Sequence, residues 1–339
     1  LDSLGEGGRP QRAFLLGPDN VNISVVESGW VSVSAQQKVD RPLAIELQER
    51  YSTSSTPWGE PDLQGIWTSD AAHGIPLERP LNAVQTVPLT PEEAAARRER
   101  GTLNSIWGYE REWRDTTLGY AKNAPSTQVS LIIDPSDGRL PPMTPYGESL
   151  VAAAELAANQ QRLPAGPEDL STDDRCITRG LPGLMLPRVY NNGLQIVQGP
   201  GYVAIQKEMV HETRVIPTTE KPHLGSSLTQ WLGDSRGYWD GETLVVEALN
   251  FNGRSPFRGA GKDMRLTERY TRIGPTTIEY MFTVVDSTIW TSPWTGIFHF
   301  EKDDDQYELV EYACHEGNYG LTGILSGARA TERESAANQ

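Results

Sequence analysis

The spacing of apolar and polar positions separates the chain into two textures. Residues 277–285 alternate well. Ile278, Tyr280, Phe282 and Val284 fall on one face, and Thr277, Glu279 and Thr283 on the other. Such a period of two is that of a half-buried strand. From about residue 185 onward similar segments follow one another: "LQIVQGPGYVAIQKE", "TLVVEALNF", "MRLTERYTRI" and "GIFHFEKDDDQYELVEYAC". Short turns such as Pro200-Gly201 and Asp240-Gly241 separate them, and Asp303-Asp304-Asp305 reads as a hairpin tip. Successive strands joined by tight turns predict an antiparallel meander. An open meander exposes two unpaired edges, and closure removes them. The pattern therefore predicts a mainly β, lipocalin-like (calycin-type) barrel with two peripheral helices and an N-terminal extension.

Helical signals lie upstream. Thr90 is a good N-cap, Pro91 suits the first turn, and Glu92 and Glu93 suit the positive helix end. A helix is expected over about 90–104, with Gly101 as its terminator. A second is expected over about 145–161, with Leu150, Val151, Ala154 and Leu156 as its apolar face. Residues 1–56 read as an arm holding one strand (Val21 to Val33) and one short helix (Leu43 to Tyr51). Ser52 to Pro57 looks like a linker, so the barrel domain is expected over 57–339. Gly65-Ile66-Trp67 sits at the start of a strand, a pattern also found where a tryptophan closes the floor of a lipocalin barrel.

Gly233-Asp234-Ser235-Arg236-Gly237 spells G-x-S-x-G, the signature of a hydrolase nucleophile elbow. An elbow needs a helix directly after the serine. Here a hairpin turn, Asp240-Gly241, and a β-branched run follow. The motif is therefore expected to enter a hairpin, with Asp234 and Ser235 capping a turn.

Charge narrows the partners. The net charge is −15 at pH 7, and a surface of that sign repels phosphate backbones, so nucleic acid is set aside. No apolar run approaches the roughly 18 residues a membrane helix needs. The opening Leu1-Asp2-Ser3 reads as a processed, mature N-terminus. The two cysteines, Cys176 and Cys314, are expected to pair in an oxidising compartment, periplasmic or extracellular. Closing so long a loop contributes about 4–5 kcal/mol in the chain-entropy picture.

Five longer stretches, "PDLQGIW", "DPSDGRLPPMTP", "CITRGLPGLMLPRVYNN", "QWLGDSRGYWDGETLVVEALNF" and "YACHEGNYGLTGILSGARATE", resemble those of a widespread family of secreted bacterial proteins without an assigned activity. The resemblance covers about residues 57–332. It implies export and carries no mechanism, and residues 1–56 lie outside it.

Five histidines are available for chemistry. His211 lies in "KEMVHETRVIP", where strand alternation sends His211 and Thr213 one way and Glu212 and Arg214 the other. His315 lies in "YACHEGNYG" with Glu316 and Tyr319. A Cys176–Cys314 bridge would bring Arg175 and Arg179 toward it. His211, Arg214, Arg236, His315, Glu316 and Tyr319 are thus candidates for general acid–base work. Trp231, Trp239, Trp290 and Trp294 are candidates to line a ligand calyx. His211, His223 and His315 with Glu316 are of the right types for zinc or iron, but no ligand spacing demands it. No metal site and no cofactor is therefore expected. Two functions are carried forward. One is a cofactor-independent lyase or isomerase acting on a small organic substrate in a barrel mouth. The other is a non-catalytic binding protein, or an accessory subunit of an extracellular or membrane-associated assembly, docked through residues 1–56.

Overall fold

The computed structural model describes residues 51–81, 88–105, 124–159, 162–302, 309 and 311–337, together with three short strands in the first fifty residues. Two compact units result, Leu1–Gln48 and Glu49–Gln339. In the first, β1 (Phe14–Leu16), β2 (Asn22–Val25) and β3 (Val31–Ser32) form an antiparallel sheet. The helix expected at 43–51, except for Tyr51, and the acidic tip at 303–305 fall outside the described residues.

The second unit is a nearly closed antiparallel barrel. Its strands are β4 (Gly65–Thr68), β6 (Gly193–Gly199), β7 (Tyr202–Lys207), β8 (Thr213–Pro217), β9 (Asp234–Asp240), β10 (Thr243–Leu249), β11 (Arg265–Gly274), β12 (Thr277–Val285) and β13 (Trp294–Lys302). They follow the order β8-β7-β6-β4-β13-β12-β11-β10-β9, and β5 (Ile132–Asp134) pairs beside β13. Two-residue loops join β6 to β7, β9 to β10 and β11 to β12. Gly201 and Gly241 sit in two of these turns at φ of +79° and +61°, a region that favours glycine.

Alternation aims the large side chains inward, where they fill the barrel. Tyr280 stands at the centre, 4.9 Å from Tyr270, 5.6 Å from Phe282 and 5.1 Å from Phe298 between ring centroids. Trp294 packs edge-on against Phe282 and Trp290 at 5.7 and 5.6 Å. Trp67 is fully buried and donates its indole N–H to the Leu63 carbonyl at 3.0 Å. Arg272 lies over the rings of Trp67 and Tyr51, at 5.6 and 5.8 Å, which uses cation–π attraction to cover that part of the barrel.

Three differences from the sequence reading have local causes. Within Ser52 to Pro57, Thr53 and Thr56 are buried and the other four residues exposed, and the Thr53 hydroxyl donates to the Arg272 carbonyl. The first helix, α1 (Pro91–Ser105), opens with a reciprocal capping box between Thr90 and Glu93 and runs straight through Gly101. A Cβ at Gly101 would come within 3.2 Å of the Gly74 Cα, so glycine there permits a close helix approach instead of ending the helix. A third helix, α3 (Tyr319–Ala337), joins α1 and α2 (Pro145–Asn159). Its only buried residue is Ala328 and it carries three glycines, so its sequence offers no apolar period.

Gly296 marks where the core tolerates no addition. A Cβ there would sit 2.5 Å from the Phe282 ring. Gly296→Ala is expected to lower unfolding stability by about 1–3 kcal/mol, read as a fall in denaturant midpoint at unchanged slope.

Candidate functional site

The strand path begins at β8 and ends at β9. These two strands lie side by side without a hydrogen-bonded ladder between them. They form a seam along the barrel wall. At one end of it the chains touch: a Cβ at Gly237 would sit 3.0 Å from Ile216 and 3.3 Å from Thr218. At the other end a side chain does the joining. Arg214 of β8 donates to both oxygens of Glu268 at 3.0 and 2.5 Å, and to the Ser235 hydroxyl of β9 at 3.1 Å. Glu268 is fully buried on β11 and also accepts from the Tyr270 and Tyr280 hydroxyls at 2.8 and 2.9 Å. Burial alone would weaken the Arg214 charge, but Glu268 outweighs it and raises the guanidinium above its ordinary range. Burial, then the same carboxylate, pushes both phenols well above theirs.

A cleft of about 630 Å³ opens at this end of the seam, lined among others by Glu212, Arg214, Trp231, Asp234, Ser235 and Arg236. Most of its charged groups are already engaged. Asp234 accepts from Arg236 at 2.5 Å, from the His223 Nδ1–H at 2.9 Å and from the Leu224 N–H at 2.8 Å. The His223 Nε2 is buried and has no hydrogen-bond partner among the described residues. Arg236 also donates to the Pro222 and Ser235 carbonyls.

Glu212 differs from these groups. Its Oε2 is buried and accepts no hydrogen bond among the described residues. Burial raises the pKa of this carboxyl above the usual range, against smaller opposing effects of hydrogen bonds from Thr178 and the Arg179 backbone and of the Arg214 charge. The turn that presents it is strained. Val210 and His211 have φ of 63° and 39°, a region a β-branched residue rarely enters. The Glu212 carbonyl closes that turn by accepting from the Lys207 N–H at 2.9 Å.

The structure brings together Arg214, Arg236 and Trp231 from the sequence-derived candidates. His211 is exposed and donates its Nδ1–H to the Tyr312 carbonyl at 2.8 Å, which fixes the strained turn against the C-terminal segment. Its neighbours alternate as expected, with Arg214 buried and Thr213 exposed. Cys176 and Cys314 are bonded, with Cα atoms 5.7 Å apart. A cavity of about 470 Å³ lies beside this bridge, but His315, Glu316 and Tyr319 do not line it. All three are exposed, Tyr319 to 82%. Arg179 does reach the bridge region and is held bidentate by Asp173, so the expected His–Glu–Arg–Tyr convergence at the bridge does not form. Trp290 and Trp294 are packed into the core and Trp239 is packed against it. They therefore line no calyx, because aromatic side chains already fill the barrel interior. Among the described residues no group of three or more His, Cys, Asp or Glu side chains is placed to hold a metal ion. Asp234 and Ser235 lie within β9 itself and cap no turn.

Glu212 is not among the sequence-derived candidates. Its signal was its place beside Arg214 on the inward side of a strand, and the turn that isolates its oxygen is not legible in residue types. No family model, no curated protein and no solved structure matches the chain.

Arg214→Met would strand the Glu268 charge inside the barrel. It is expected to destabilise by about 3–5 kcal/mol. Adding Glu268→Gln removes the charge yet keeps an acceptor for Tyr270 and Tyr280, so the double variant should regain part of the loss in denaturation midpoint.

Proposed function

We propose that the seam cleft is the active site of a proton-transfer enzyme of the lyase or isomerase class, acting on a small polar organic molecule. Glu212 is its acid–base group. A carboxyl raised by burial keeps more of its proton near neutral pH, which suits it to give and retake a proton. The Ser235 hydroxyl, fixed by Arg214, and the Arg236 guanidinium orient the substrate and meet developing negative charge. Trp231 supplies an apolar wall. His223 and Asp234 act as positioning residues for Arg236 and the β9 edge. The observation that carries this reading is the buried, unpartnered Oε2 of Glu212 in a cleft where the neighbouring charges are paired. Such an oxygen is stabilised either by a proton or by a donor on a bound molecule.

A second reading rests on the N-terminal unit. Leu1–Gln48 forms its own compact unit, as a docking arm for an assembly would. Export is part of both readings and is supported by the Cys176–Cys314 bridge, since such bonds persist in oxidising compartments. No helix among the described residues is long and apolar enough to cross a membrane.

The test is turnover of a small-molecule library followed by NMR in heavy water. Wild-type protein should convert or deuterate a library member, and Glu212→Gln should lower that rate at least about 100-fold. Binding without turnover or exchange would favour the second reading. Stability should move oppositely. A raised folded-state value means the folded chain holds this proton more tightly than the unfolded one, so the Glu212 contribution falls as pH rises through the ordinary carboxyl range. Glu212→Gln should therefore match wild type near pH 4 and be equally or more stable at pH 7–8. Deleting residues 1–48 should spare turnover if the seam is catalytic, and abolish co-purification with a partner if the arm docks.

A further inference from the structure

A second pocket, of about 370 Å³, lies away from the seam. Its floor is backbone. Gly74 and Gly101 meet there, and a Cβ on Gly74 would come 3.1 Å from the Arg98 Cα. Two bare glycines therefore allow α1 to approach the turn after β4 and keep the space beside them free of side chains. His73, Arg179, Arg188 and Tyr190 are among the residues around that floor.

The donors and acceptors in this pocket are defined by their partners. His73 Nε2 lies 3.0 Å from the Thr102 hydroxyl, and that hydroxyl donates its one hydrogen to the Arg98 carbonyl at 3.0 Å. Nε2 must then carry the proton, which leaves Nδ1 as an acceptor. Burial keeps this imidazole neutral, lowering it to about 4. Arg188 is exposed and lies at the rim of the pocket. Its backbone is clamped by Asn192, whose side chain accepts from the Arg188 N–H and donates to the Arg188 carbonyl, each at 2.7 Å. Its guanidinium has no hydrogen bond or ion pair among the described residues, whereas nearby Arg179 is paired with Asp173. Close by, Lys207 is buried with its Nζ donating to the Asn192 carbonyl at 2.6 Å; burial lowers its pKa to about 7, against the attraction of Asp70 and Glu208 and with smaller repulsion from Arg179 and Arg188. A chain of net charge −15 thus places two arginines at one hollow, and one of the two guanidiniums makes no ion pair among the described residues.

We infer that this pocket binds a small hydroxylated carboxylate, its carboxylate on the Arg188 guanidinium and its hydroxyl donating to His73 Nδ1. A planar guanidinium matches a carboxylate with two parallel hydrogen bonds, and a neutral imidazole acceptor selects a ligand that also carries a donor. The inference is independent of the seam reading, since none of these residues lines the seam cleft.

Ligand-observed NMR on the full chain tests it with matched probes at millimolar concentration: malate against succinate, gluconate against hexanoate, and inorganic phosphate. Malate or gluconate should bind, and the partner lacking the hydroxyl should bind at least tenfold more weakly. Arg188→Met should abolish binding, and Arg188→Lys should retain a weakened part of it. Circular dichroism and the denaturation midpoint confirm that each variant is folded, and Arg254→Met, at an exposed position, serves as a charge-matched control that keeps binding. Failure of every carboxylate to bind wild-type protein would overturn the inference. So would binding that survives Arg188→Met in the folded variant, or phosphate binding as well as the hydroxy acids.

Discussion

The barrel depends on one buried ion pair, Arg214 with Glu268. Eight of the nine junctions around the wall are backbone ladders, which need no particular side chain. The ninth, between β8 and β9, has none. There a guanidinium spans from β8 to the Ser235 hydroxyl of β9 and to a carboxylate on β11. Removing two charges from water costs several kcal/mol per ion, and only good geometry with further hydrogen bonds offsets that. Glu268 has them, in two donors from Arg214 and one each from Tyr270 and Tyr280. The value of such a pair lies in register. A slip of β8 by one residue would send Arg214 outward and leave Glu268 charged in an aromatic core.

The same arrangement explains why the cleft sits where it does. A seam closed by side chains leaves strand edges and polar groups near the surface, unlike a seam closed by backbone. The strained turn before β8 then delivers Glu212 to its rim. That turn is held from outside by His211 on Tyr312, and Tyr312 is tied down in turn by the bridge between Cys176 and Cys314 two residues on. The histidine and the cysteines thus act on the site through geometry, by fixing the backbone that aims Glu212. The same turn has Lys207 at its other end, so the hydrogen bond from Lys207 N–H to the Glu212 carbonyl links the neighbourhood of the arginine pocket to that of the seam.

Much of the fold was legible from residue order. Alternation in 277–285 named Ile278, Tyr280, Phe282 and Val284 as inward, and all four are fully buried. The Asp240-Gly241 turn separated Ser235 from a nucleophile elbow, because a strand and not a helix follows. The helix Tyr319–Ala337 is not legible in residue order, because its only buried residue is Ala328.

The local code, which strands form and which faces turn inward, belongs to the sequence alone, since it rests on steric periods of two and on turn residues that act over a few positions. The two cysteines and the acidic surface belong there as well. Tertiary structure decided what lies between distant residues: that Arg214 meets Glu268 across 54 positions, that Glu212 is left with a bare oxygen, that Trp290 and Trp294 fill the core, and that His315 faces solvent. Burial and partner choice set the charge state and availability of each of these groups, and both depend on long-range packing that neither composition nor spacing encodes.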